Sequence, residues 1–104
     1  MKKINLAISG CMGRMGQQLI RSAKKNKNFK LVTLTENKLI NKNFNGVKPE
    51  LNSVKAFKKT DVIIDFTLPS CTLEILKIAS KLRKKLVIGT TGFTRSQENQ
   101  IKKY

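Results

Sequence analysis

This 104-residue sequence predicts one α/β domain built on a doubly wound, parallel sheet. Three observations carry that prediction. Apolar runs of strand length alternate with helical patterns, with a strand roughly every 25 residues, as crossover connections between parallel strands require. The run Ile4–Ser9 passes directly into Gly10, Gly13 and Gly16 and then into a helical pattern. The run Asp61-Val62-Ile63-Ile64-Asp65-Phe66 is almost continuously apolar, as strands covered on both faces are.

The elements follow in order. Ile4–Ser9 reads as a buried strand. A helix is expected from about Gly13 to Lys25, with Met15, Leu19, Ile20 and Ala23 on one inward face. Asn26-Lys27-Asn28 is a polar turn, and Phe29–Thr35 is a second strand ending at Glu36. Residues 37–48, rich in Asn and lacking a period, read as an exposed loop. Ser53–Lys59 predicts a short helix, and Asp61–Phe66 the clearest strand. Pro69 suits the first turn of the next helix, where a missing N–H costs nothing. Ile75, Leu76, Ile78, Ala79 and Leu82 give that helix a wide apolar face. Leu86–Ile88 is a short strand, Gly89-Thr90-Thr91-Gly92 a turn, and Thr94–Tyr104 a mostly polar helix.

Right-handed crossovers place the C-terminal ends of all these strands on one edge, where ligands of open α/β sheets bind. The glycine turn lies there. Glycines between a strand and a helix permit a tight turn, close approach of backbone to a pyrophosphate and tight helix packing, while the helix N-terminus supplies an anion site. The spacing is G-x-x-G-x-x-G, not G-x-G-x-x-G, so the turn alone reads equally as a phosphate cradle or an ordinary connection. Glu36 lies about 20 residues beyond Gly16, the position of the acid that holds an adenosine ribose. A carboxylate there repels a 2′-phosphate and so favours NADH, while Asn37 and Lys38 leave NADPH open. Arg14 reads as a phosphate clamp or as a surface arginine. Thr90 and Thr91 bring hydroxyls and backbone N–H groups to the same edge.

Composition removes other classes of function. There is no histidine, and no Cys/Asp/Glu grouping has metal-ligand spacing. The net charge of +16 attracts polyanions, but the lysines are dispersed and aromatics make up only 6 %, so a specific nucleic-acid site is not expected. Cys11 and Cys71 read as reduced thiols, with Cys11 a small spacer in the glycine turn rather than a thiol made reactive by the helix N-terminus, the less favoured reading. No apolar run is long enough for a membrane helix or has the form of a leader, so the cytosol is the expected compartment.

Three motifs in order, GCMGRMG, IDFTLP and VIGTTGF, resemble the N-terminal, cofactor-binding half of the 4-hydroxy-tetrahydrodipicolinate (dihydrodipicolinate) reductase family. The resemblance extends from Ile4 to about Ile101. It implies a Rossmann-like domain taking NADH or NADPH, within an enzyme that reduces a cyclic dicarboxylate to tetrahydrodipicolinate with loss of water, on the diaminopimelate route to lysine. Carried across, it implies that Gly10, Cys11, Met12, Gly13, Arg14 and Met15 wrap the pyrophosphate and that Glu36 holds the ribose. Phe66 and Thr67 would flank the cofactor. Gly89, Thr90 and Thr91 would line the nicotinamide, with Thr91 nearest the substrate. Asn37 stands where many members carry an arginine, a departure that bears on NADPH use.

The resemblance also implies that residues 1–104 are one domain of a longer, tetrameric enzyme, whose second half supplies a His-His motif and a lysine for the dicarboxylate. No catalytic residue is therefore expected in this chain, and the chain alone is expected to be inactive, since hydride transfer needs both reactants held together. The alternative is a stand-alone NAD(H)-binding module without catalysis.

Overall fold

The computed structural model describes residues 3–104 apart from 11, 39 and 45. In chain order the elements are β1 (Ile4–Ser9), α1 (Arg14–Lys25), β2 (Phe29–Glu36), β3 (Glu50–Leu51) and α2 (Val54–Lys58), then β4 (Val62–Asp65), α3 (Pro69–Leu82), β5 (Lys85–Ile88) and α4 (Arg95–Ile101). The strands form one sheet in the order β3-β2-β1-β4-β5, and every pairing is parallel. From β1 the chain steps outward to β2 and β3, then returns to the other side of β1 for β4 and β5. The reversal opens a crevice outside the C-terminal ends of β1 and β4.

Strand alternation divides the core into two layers. Leu6 and Ile8 pack with Ile20, Ala23 and Leu34 beneath α1. Ala7 and Ile63 face the other way, against Phe57 of α2 and Ile75 and Ala79 of α3. The short helix α2 therefore supplies Phe57, the largest fully buried side chain. Its start is fixed by Ser53, whose hydroxyl accepts the Ala56 N–H at 3.0 Å.

β2 carries an irregularity that its sequence does not announce. Leu6 pairs with Leu31, but Ala7 pairs with Thr33, so Val32 is an extra residue. Phe29 and Leu31 face α1, and so does Leu34, which a regular two-residue period forbids. Beyond the bulge, Thr33 and Thr35 are buried on the opposite face, where the Thr33 hydroxyl donates to the Ala56 carbonyl at 3.0 Å.

Three expectations are corrected. Met15 is 46 % exposed, and Gly16, Ile20 and Ala23 form the inward face of α1. With Gly16, Ile20 and Ala23 turned inward, the turn of about 100° between successive helical residues carries Met15 to the flank of the helix. Glu50–Leu51 adds a two-residue strand, too short to show a period, paired with Thr35 and Glu36. The sheet is not covered evenly: α1 packs over β1 and β2, leaving Val87 of β5 54 % exposed on that side.

Candidate functional site

The crevice is built from the ends of β1, β2 and β4. Gly10 follows β1 with φ 84°, in the left-handed region. A Cβ there would overlap the Phe66 carbonyl oxygen, so the position is closed to side chains on two grounds. The turn then folds on itself, with the Gly13 N–H donating to the Gly10 carbonyl at 3.1 Å. Gly13 is the N-cap of α1, and neither a capping side chain nor an acidic residue occupies the first turn. The first N–H groups of a helix have no intrahelical acceptor. Those of α1 therefore face the crevice mouth with the positive end of the helix dipole, a cradle suited to a pyrophosphate.

Glu36 closes the opposite side. Its Oε2 accepts the Met12 N–H at 2.8 Å and its Oε1 accepts the Asn37 N–H at 3.3 Å. The acid at the end of β2 is thus tied directly to the glycine turn and held half-buried at its lip. Gln17, one turn into α1, donates to the Met12 carbonyl at 2.9 Å, so both polar groups of Met12 are engaged.

From β4 comes the third wall. Phe66 is wedged between two glycines, its carbonyl against Gly10 and its ring where a Gly89 Cβ would sit. Gly10, Gly13, Glu36, Asn37, Phe66 and Thr67 line one cavity of about 280 Å³, joined by Leu68 and Cys71 from the start of α3. The lining contains no lysine or arginine among the described residues.

The expected site residues are thus sorted. Gly10, Met12, Gly13, Glu36, Phe66 and Thr67 come together around the crevice. Arg14 and Met15 are exposed on the first turn of α1, beside it. Cys11 lies outside the described residues. Gly89 backs the Phe66 ring and donates its N–H to the Asp65 carbonyl at 2.8 Å. Thr90 is 8 % exposed and its hydroxyl is engaged internally, accepting the Thr67 N–H at 2.9 Å. That hydroxyl is turned inward and braces the loop. Thr91 is exposed beyond it.

Sequence reasoning passed over Gln17, Leu68 and Asp65. An acid ending an otherwise apolar strand was the available signal for Asp65. It is fully buried, and it accepts hydrogen bonds from the hydroxyls of Thr67, Thr72 and Thr90.

A parallel sheet with an uncapped glycine turn at its switch point, and an acid at the end of the neighbouring strand, defines a dinucleotide-binding domain of the Rossmann type. Comparison with known proteins narrows the class. Residues 4–104 match the family described as dihydrodipicolinate reductase, N-terminus, and the chain belongs to that family. It is 69 % identical over 104 residues to a 4-hydroxy-tetrahydrodipicolinate reductase of Pelagibacter ubique, covering 100 % of this chain and 40 % of that protein. A reductase of the same name from Buchnera aphidicola is 39 % identical over 116 residues, covering 99 % and 42 %. Among solved structures, a dipicolinate-bound dihydrodipicolinate reductase from Paenisporosarcina sp. TG-14 superposes with a TM-score of 0.77 at 29 % identity, covering 96 % of this chain and 42 % of its own. The chain thus spans about two-fifths of the length of the curated relatives it matches.

Proposed function

We propose that residues 1–104 form the dinucleotide-binding domain of a 4-hydroxy-tetrahydrodipicolinate reductase, and that this domain prefers NADH. The observation that carries the reading is the hydrogen bond from the Met12 N–H to Glu36, which assembles phosphate cradle and ribose acid into one crevice. The α1 N-terminus would take the pyrophosphate, with Arg14 beside it. Glu36 would accept the adenosine ribose hydroxyls. Leu68 and Cys71 add apolar surface to the same cavity.

Preference for NADH follows from the same lining. A 2′-phosphate would meet the Glu36 carboxylate and Asn37, with no guanidinium or ammonium to neutralise it among the described lining residues. Phe66 and Gly89 would bound the nicotinamide end, and Thr91, exposed at that edge, is the residue we place nearest the substrate. The bound cofactor would supply hydride to the cyclic dicarboxylate. The residues that hold and protonate that substrate would come from the remaining length seen in the relatives, in a homotetramer.

Titrating the chain with NADH and NADPH, read by thermal shift, tests the proposal. NADH is expected to raise the melting temperature at lower concentration than NADPH. A folded sample that responds to neither would overturn it.

A further inference from the structure

Asp65 is a fully buried carboxylate at the end of β4. The ion pair among the described residues, Lys59–Glu50, lies elsewhere, and the partners of Asp65 are three hydroxyls from three separate segments. Thr67, in the turn after β4, donates to Oδ1 at 2.6 Å. Thr72 of α3 donates to Oδ2, as does Thr90, beyond β5, at 3.3 Å.

A hydroxyl has a single proton, and each of the three threonines directs it at the Asp65 carboxyl group. For Thr90 this fixes the hydroxyl's direction and leaves a lone pair for the Thr67 N–H at 2.9 Å. The Thr67 N–H belongs to the same peptide unit as the Phe66 carbonyl, which presses against Gly10. One peptide plane is thus gripped at its N–H by a hydroxyl that Asp65 orients, and at its carbonyl by the glycine turn. That plane carries the Phe66 ring to its place over Gly89.

We infer that Asp65 is a positioning residue for the nicotinamide end of the crevice, acting through Thr90 on the Phe66–Thr67 peptide. This rests on the dinucleotide reading above. The sheet order supports the assignment of ends: β2, with Glu36, lies on one side of β1, and β4 and β5 lie on the other. The three hydroxyls that donate to Asp65 come from the turn after β4, from α3 and from the segment after β5.

The test compares NADH with ADP-ribose, which shares the adenosine and pyrophosphate but lacks the nicotinamide. Asp65→Asn places an N–H₂ donor where Oδ1 or Oδ2 now accepts, and is expected to weaken NADH about tenfold while changing ADP-ribose less than about twofold. Thr90→Val is expected to do the same, and Thr90→Ser to restore wild-type affinity. The two threonine variants keep the test intact if Asp65→Asn does not fold. NADH affinity unchanged in both Asp65→Asn and Thr90→Val, or NADH and ADP-ribose lost in equal proportion, overturns the positioning role alone. Wild-type chain that binds neither ligand overturns the dinucleotide reading itself.

Discussion

At the scale of single residues, the crevice depends on groups that hold two things at once. Glu36 anchors the glycine turn through Met12 and stands where a ribose would bind, so its charge serves both stability and selectivity. Glu36→Gln keeps an acceptor for the Met12 N–H but removes the charge. The expected result, by isothermal titration, is about tenfold weaker NADH binding with a smaller loss for NADPH, narrowing the ratio between them. The two glycines around Phe66 are expected to differ. Gly10→Ala combines a left-handed φ of 84° with overlap on a backbone oxygen, neither of which can relax. It should cost more than about 2 kcal/mol in chemical denaturation. Gly89→Ala meets a side-chain ring, which can swing away, so the fold is expected to survive with a smaller fall in melting temperature and weakened NADH binding.

Among the elements, stability is unevenly distributed. α2 is five residues long, yet Phe57 is wholly buried between sheet and α3. Phe57→Ala is expected to cost about 3–5 kcal/mol, a large part of a small domain's stability, measured by urea denaturation. α3 ends on Arg83 at φ 56°, a conformation glycine adopts without strain. Arg83→Gly should therefore stabilise the chain by about 0.5–1 kcal/mol. α4 buries no residue and begins with a reciprocal capping box, the Thr94 hydroxyl accepting from Gln97 and the Gln97 side chain from Thr94. Thr94→Ala is expected to reduce amide-exchange protection across Arg95–Ile101 while leaving the global melting temperature nearly unchanged. What the sequence made legible follows the same division. The glycine turn, Glu36, Pro69 and the apolar strands each meet a local backbone or burial requirement, which leaves a mark in residue type. The Asp65 cluster joins residues from three segments, and β3 is two residues stapled to the end of β2. Asp65 itself is marked only as an acid ending an apolar strand, its threonine partners and β3 have no local signature, and exposed Met15 fits the helical period as well as buried Gly16 does.

Across the whole molecule, charge and shape interact. The chain carries +16 on a body whose longest extent is 38 Å. At about 10 mM salt the screening length is about 30 Å, so lysines repel across nearly the entire domain, and at about 150 mM it falls to about 8 Å. Adding sodium chloride over that range is expected to raise the melting temperature of the ligand-free chain. The bulge at Val32 has a reach of similar breadth. It acts as a frameshift within β2: before it the odd-numbered positions Phe29 and Leu31 look toward α1, and after it the even-numbered Leu34 does. Glu36 shares the parity of Leu34, which is why it meets the turn leading into α1. Deleting Val32 would keep Leu31 opposite Leu6 and Thr33 opposite Ala7, so it is expected to remove the bulge and leave Glu36 on the α1 face. Were Val32 instead taken into regular pairing, every later residue would change face and the acid would turn toward α2, so spacing between glycines and acid is meaningful only with the strand's phase attached.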